Sequence, residues 1–84
     1  MAARFGNRDV VRLLLDNGAE PNKANRWEET PLHEAASYGH KDIVKMLLNK
    51  GADPKKTDSI GKTPLYYARR YGDSDVVNIL MKYE

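Results

Sequence analysis

The 84-residue sequence predicts an all-α solenoid of stacked helix-turn-helix units with projecting β-hairpin-like loops. Two observations carry that prediction. The first is that chemically distinctive residues recur every 33 positions: Gly6, Gly39 and Gly72; Asp9, Asp42 and Asp75; Val11, Val44 and Val77; Leu14, Leu47 and Leu80. The same offset carries Thr30-Pro31-Leu32 onto Thr63-Pro64-Leu65, Ala35 onto Ala68 and Gly18-Ala19 onto Gly51-Ala52. Residues 30–51 and 63–84 agree at nine of 22 positions, so chance is a poor explanation. The second is that apolar residues inside each period fall at helical spacing, between residues that start and stop helices, with no competing strand pattern. A unit of this kind cannot bury its apolar face alone and must stack on a neighbour.

The elements follow in chain order. Met1-Ala2-Ala3-Arg4-Phe5 supplies only the last turn of a first helix before Gly6. A second helix begins after Asn7, with Asp9 in its first turn, where the helix dipole favours negative charge. Val10, Val11 and Leu14 make its apolar stripe, and Gly18 suits the left-handed position that ends it. Gly18 through Trp27 is turn chemistry and reads as a projection. Thr30 then caps a new helix, and Pro31 takes the first helical position, where its missing N–H costs nothing. That helix ends near Gly39, and its partner starts after His40 with Asp42 in the first turn, the stripe Ile43, Val44 and Leu47, and a stop at Gly51. Gly51 through Gly61 projects again, and Thr63-Pro64 opens the last unit, whose second helix starts after Asp73. The chain is one domain, 1–84, divided into an incomplete first repeat (1–24), a full middle repeat (25–57) and a C-terminal capping-type repeat (58–84). Leu32, Ala35, Ile43, Val44, Leu47 and their equivalents form the expected core.

Composition bounds the function. Fourteen Lys and Arg against twelve Asp and Glu leave a charge of +2, which does not by itself call for nucleic acid or membrane. The absence of cysteine removes disulfides, thiolate nucleophiles and zinc-thiolate sites together, and fits a cytoplasmic or nuclear setting. No apolar run approaches the ~20 residues of a membrane helix, and charge at Arg4 interrupts any signal-peptide pattern. His33 and His40 lack the carboxylate or thiol arrangement that a metal or acid-base site requires. Adjacent Glu28 and Glu29 read as solvating groups on a turn, and the glycines are repeat punctuation without a phosphate loop. The expectation is therefore no catalytic residue, no metal, no cofactor and no enzyme.

At these residues the sequence resembles the ankyrin repeat, with its 33-residue period and T-P-L-H-x-A signature. Thr30-Pro31-Leu32-His33-Glu34-Ala35 meets that signature at every fixed position. The wider pattern is met by Ala35-Ala36-Ser37-Tyr38-Gly39-His40, Ile43-Val44, Leu47-Leu48 and Gly51-Ala52-Asp53, and the resemblance covers essentially the whole chain. Three departures carry information. Glu28 stands where the hairpin glycine is usual, as at Gly61, so an altered turn is expected. Tyr66 replaces the signature histidine, which puts that group's structural role in the last repeat in doubt. Arg69 replaces Ala36, as a solvent-facing final repeat requires.

The resemblance implies a protein-protein interaction module, a scaffold whose hairpin tips and first helices line a concave partner-binding face. Carried over by position, that face holds Arg26, Trp27, Glu29, Glu34, Ser37 and Tyr38 in the middle repeat. The last repeat contributes Ser59, Ile60, Lys62, Tyr67, Arg70 and Tyr71, and the first only Arg4 and Phe5. Phe5, Tyr38 and Tyr71 share one register and are expected to align as an aromatic ladder. Against this stands bracing of the helix by the same aromatics. Lys23, Arg26, Lys55, Lys56 and Lys62 point to an acidic partner, diluted by Glu20, Glu28, Glu29, Asp53 and Asp58. A second reading is an excised or engineered repeat segment that self-associates, as a homodimer or end to end, through an uncapped N-terminal face containing Val10, Leu13 and Leu14. A third, minor one is nucleotide or single-stranded RNA stacked on Trp27 and Tyr38 beside Arg26.

Overall fold

The computed structural model describes residues 8–71 and 74–83, with the backbone alone for Arg8, Val10 and Leu14. Within them lie five helices: α1 (Arg8–Asp16), α2 (Pro31–Ser37), α3 (Lys41–Asn49), α4 (Pro64–Tyr71) and α5 (Ser74–Met81). No strand occurs among the described residues. The packing is that of a two-layer stack. α2 lies against α4 in one row, α1, α3 and α5 form the other, and each first helix packs on its own partner, α2 on α3 and α4 on α5.

Local sequence explains the helix ends. Thr30 Oγ1 accepts the His33 N–H at 3.3 Å, while His33 Nδ1 accepts the Thr30 N–H at 3.1 Å, a reciprocal cap with Pro31 just inside it. In the last unit Thr63 Oγ1 accepts the Tyr66 N–H at 3.2 Å. α3 ends as Gly51 predicts: its φ is +96°, and the Ala52 and Gly51 amides fold back onto the carbonyls of Leu47 and Leu48 at 2.9 and 3.2 Å. Ala52, just beyond that turn, is buried in the core.

Among the described side chains the core is the expected one, Val10 and Leu14 lying outside them. Leu32, Ala35, Ile43, Val44, Leu47, Leu65, Ala68, Val76 and Leu80 are buried, with Val11 from α1, and Leu15, Met46, Leu48, Val77 and Ile79 pack around them. Ala36 is fully buried between units while its counterpart Arg69 is exposed, as the change from a small to a charged residue requires. Ion pairs between outer helices, Lys50 with Asp16 at 3.1 Å and Lys41 with Asp75 at 3.5 Å, are exposed and contribute at most about 1 kcal/mol each.

The projections keep the hairpin-like form, and both use one device. Asn25 Oδ1 accepts the amides of Trp27 and Glu29 at 2.9 and 3.1 Å; one period later Asp58 Oδ1 accepts those of Ile60 and Lys62 at 3.1 and 2.9 Å. The backbones match, with Glu28 N bonded to Asn25 O and Gly61 N to Asp58 O, and each turn closed by a further bond from residue 25 to 29 or 58 to 62. Glu28 does not alter the turn. It adopts φ +60° where Gly61 adopts +79°, because the side-chain acceptor at Asn25 and the closing bonds hold the left-handed backbone in place. The Ser59 amide reaches the Trp27 carbonyl at 3.0 Å, joining one tip to the next.

Candidate functional site

The face between the hairpins and the first-helix row is organised by His33. Its Nδ1 is committed to the Thr30 amide and hydroxyl, the latter at 2.8 Å, so the ring proton resides on Nε2 and is donated to the Lys62 carbonyl at 2.9 Å. The histidine thus ties the start of α2 to the base of the next hairpin and is buried in doing so. Tyr66, its counterpart, makes no such tie. Its ring is part-exposed and lies under Lys62, whose Nζ is 4.5 Å from the ring centroid.

Above His33 lies a small cavity of about 90 Å³ lined by Glu29, His33, Glu34, Ser37, Tyr38 and Tyr67. Five of these six are residues that position alone places on the partner-binding face. Glu29 is held by the Asn25 amide group, whose Nδ2 donates to its Oε1 at 3.1 Å. Tyr67 is fixed by a hydrogen bond from its hydroxyl to Asp58 Oδ2, and its ring meets His33 edge-on at 5.9 Å. Glu34, expected at the surface, is 7% exposed at the floor of this cavity.

The remaining residues are arranged outside the cavity. Trp27 is 55% exposed on its tip, with the Arg26 guanidinium 4.9 Å over the ring. Ser59 and Ile60 are exposed on the neighbouring tip. Tyr38 stacks on His40, with centroids 6.2 Å apart, whereas Tyr71 stacks on Tyr67 at 6.5 Å and accepts a hydrogen bond from Arg70 Nε at 3.0 Å. Tyr38 and Tyr71 are both exposed, each braced by its own neighbours. Arg4 and Phe5, and with them the first rung of the expected ladder, lie outside the described residues.

Asp58 corrects one expectation. It is not a solvating loop charge but a buried group, and every polar contact it makes organises the hairpin and Tyr67. Burial raises its pKa, but the Tyr67 hydroxyl and the Lys62 and Ile60 amides outweigh that and hold it below the ordinary value of 3.8. Burial and the neighbouring Asp58 carboxylate push the Tyr67 phenol well above its ordinary 10.0, so it remains a donor. The available signal for this pair was an Asn or Asp at the same register of both turns. Asn22 was missed in the same way; it accepts the Asp53 amide at 2.6 Å and donates to the Gly51 carbonyl at 3.1 Å, linking successive loops. Among the described residues no group of three or more His, Cys, Asp or Glu could hold a metal ion.

A repeated helix pair, a cap tied to the next hairpin and a lined groove define a repeat protein of the ankyrin class. The family model described as ankyrin repeats (3 copies) matches residues 1–84, and the chain belongs to that family. Such repeats are generally protein-protein interaction modules and generally non-catalytic. A transient receptor potential cation channel subfamily A member 1 homolog from Caenorhabditis elegans is 57% identical over 35 residues. The likeness spans 42% of this chain and 3% of that protein. No described helix is long and apolar enough to cross a membrane.

Proposed function

We propose that this chain is a non-catalytic module that holds a partner protein or peptide against the face formed by the hairpin tips, α2 and α4. The observation that carries the reading is the convergence of Glu29, Glu34, Ser37, Tyr38 and Tyr67 on one cavity, with Trp27 exposed on the hairpin tip. Tyr, Trp and Arg are the residue types over-represented where binding energy concentrates. Because the turns and the tyrosine are already held by internal hydrogen bonds, little ordering entropy is lost when a partner docks. Paired affinity capture with the wild-type chain and the Trp27→Ala, Tyr38→Ala double variant tests it. Ligands disappear from the variant while its helical circular dichroism is unchanged; if the variant unfolds, those side chains belong to the core. The same face disfavours a stacked base, since Arg26 already covers the Trp27 ring.

Self-association remains the second reading, and Leu13 favours it. Met46 and Ile79, at the same register, pack against the core, whereas Leu13 is 61% exposed. Val10 and Leu14, expected on the same face, have side chains outside the described set. Sedimentation at rising concentration decides it: a strict monomer removes the reading, and a dimer dispersed by Leu13→Lys supports it. The absence of cysteine suits an intracellular compartment for either reading.

A further inference from the structure

We propose that a groove on the side of α4 turned away from α2 binds an acidic peptide segment, in which Asp or Glu residues flank an apolar side chain. The groove measures about 470 Å³ and is lined by Thr63, Leu65, Tyr66, Arg69 and Arg70. Arg69 takes the register of Ala36, which is buried under the next unit, and this sets the groove on the far side of α4. It shares no lining residue with the cavity at His33, so the two faces are tested apart.

Charge is the first argument. Residues 29–38 hold Glu29 and Glu34 with no Lys or Arg. One period later residues 62–71 hold Lys62, Arg69 and Arg70 with no Asp or Glu, a change from −2 to +3 in a chain whose total is +2. Keeping a face in water requires polarity, not a single sign. Lys62 lies over the Tyr66 ring, Arg70 donates to the Tyr71 hydroxyl, and Arg69 makes no hydrogen bond or ion pair with any described residue. On the outer row, by contrast, Lys41 and Lys50 are paired with Asp75 and Asp16. A ligand bearing carboxylates supplies the counter-charge that this side of α4 lacks.

Shape is the second argument. Tyr66, Arg69 and Arg70 stand three and four positions apart and so share one face of α4, while Leu65 and the Tyr66 ring give the groove an apolar side. Its volume lies in the range of ~300–1,000 Å³ over which sites hold a ligand, room for one apolar side chain between two carboxylates. Guanidinium groups take carboxylates through paired hydrogen bonds. Two other occupants fit less well. A further stacked helix pair needs a small residue where Arg69 stands, as Ala36 provides under α4. A nucleic-acid base finds the Tyr66 ring already covered by Lys62.

The test is selection of random displayed peptides on the intact chain. Selected peptides are then titrated against wild type, Arg69→Glu, Arg69→Lys and the Trp27→Ala, Tyr38→Ala double variant, with circular dichroism confirming each fold. Arg69 is exposed, so its replacement leaves the core alone. The expected result is a group of peptides with Asp or Glu on both sides of an apolar residue that bind the double variant as they bind wild type. These lose about tenfold or more in affinity on Arg69→Glu and less on Arg69→Lys. Selected peptides that all ignore Arg69→Glu, or that respond to it without carrying acidic residues, overturn the groove and leave the hairpin-side face standing. An oligothymidylate that outcompetes the peptides and depends on Arg69 makes the groove a nucleic-acid site and overturns the proposal. A dimer in sedimentation that Arg69→Glu disperses makes the occupant a second copy, with the same consequence.

Discussion

At Glu28 a single residue sits in a backbone conformation that L side chains avoid, at φ +60°, while glycine fills the equivalent place one repeat later. The cost of that conformation is about 1–2 kcal/mol, partly offset because glycine loses more freedom on folding. Glu28→Gly is therefore expected to stabilise the chain by about 0.5–1 kcal/mol, read as a rise in the thermal midpoint. A second residue-scale prediction concerns acid. Because the folded pKa of Asp58 lies below the ordinary 3.8, its contribution is fully present above that value and is lost as pH falls through the lower, folded one. Asp58→Asn retains the turn acceptor, as Asn25 shows, and is expected to flatten the acid limb of stability against pH below about 4. Why Glu28 and Asp58 were misjudged in sequence is the same physical point. Propensity and charge describe an isolated residue, whereas a side-chain acceptor three positions earlier and a tyrosine nine positions later decided these two.

The elements were far more legible than their contacts. Thr-Pro starts, Gly stops and apolar spacing mark helices because each is a short-range effect, and α2, α3 and α4 begin and end where those signals stand. What the chain could not disclose locally is the bond from His33 Nε2 to the Lys62 carbonyl, which spans from one unit to the next. That bond predicts a large effect. His33→Ala removes half of a reciprocal cap, strips the Lys62 carbonyl of one of its two donors, leaving only the Asp58 amide, and opens a void in a buried site, so a loss of about 3 kcal/mol is expected in chemical denaturation. Tyr66→Ala, at the matching position without the inter-unit bond, is expected to cost less than half as much.

Across the whole molecule stability is unevenly spread, as nearest-neighbour stacking dictates. α2 and α3 lie in the middle, each packed on two or more other helices, while α1 rests on α3 and places Val11 in the core with Leu15 against it. Native-state hydrogen exchange is expected to show α1 amides opening at lower free energy than those of α2 and α3. The binding face follows the same geometry, since its cavity is walled by one repeat and closed by Tyr67 from the next, which no single unit could build. The His33 joint has a mechanical corollary. A ligand tugging on the second hairpin loads a strut anchored at the first turn of α2, so strain is shared between storeys of the stack and the loop cannot swing alone.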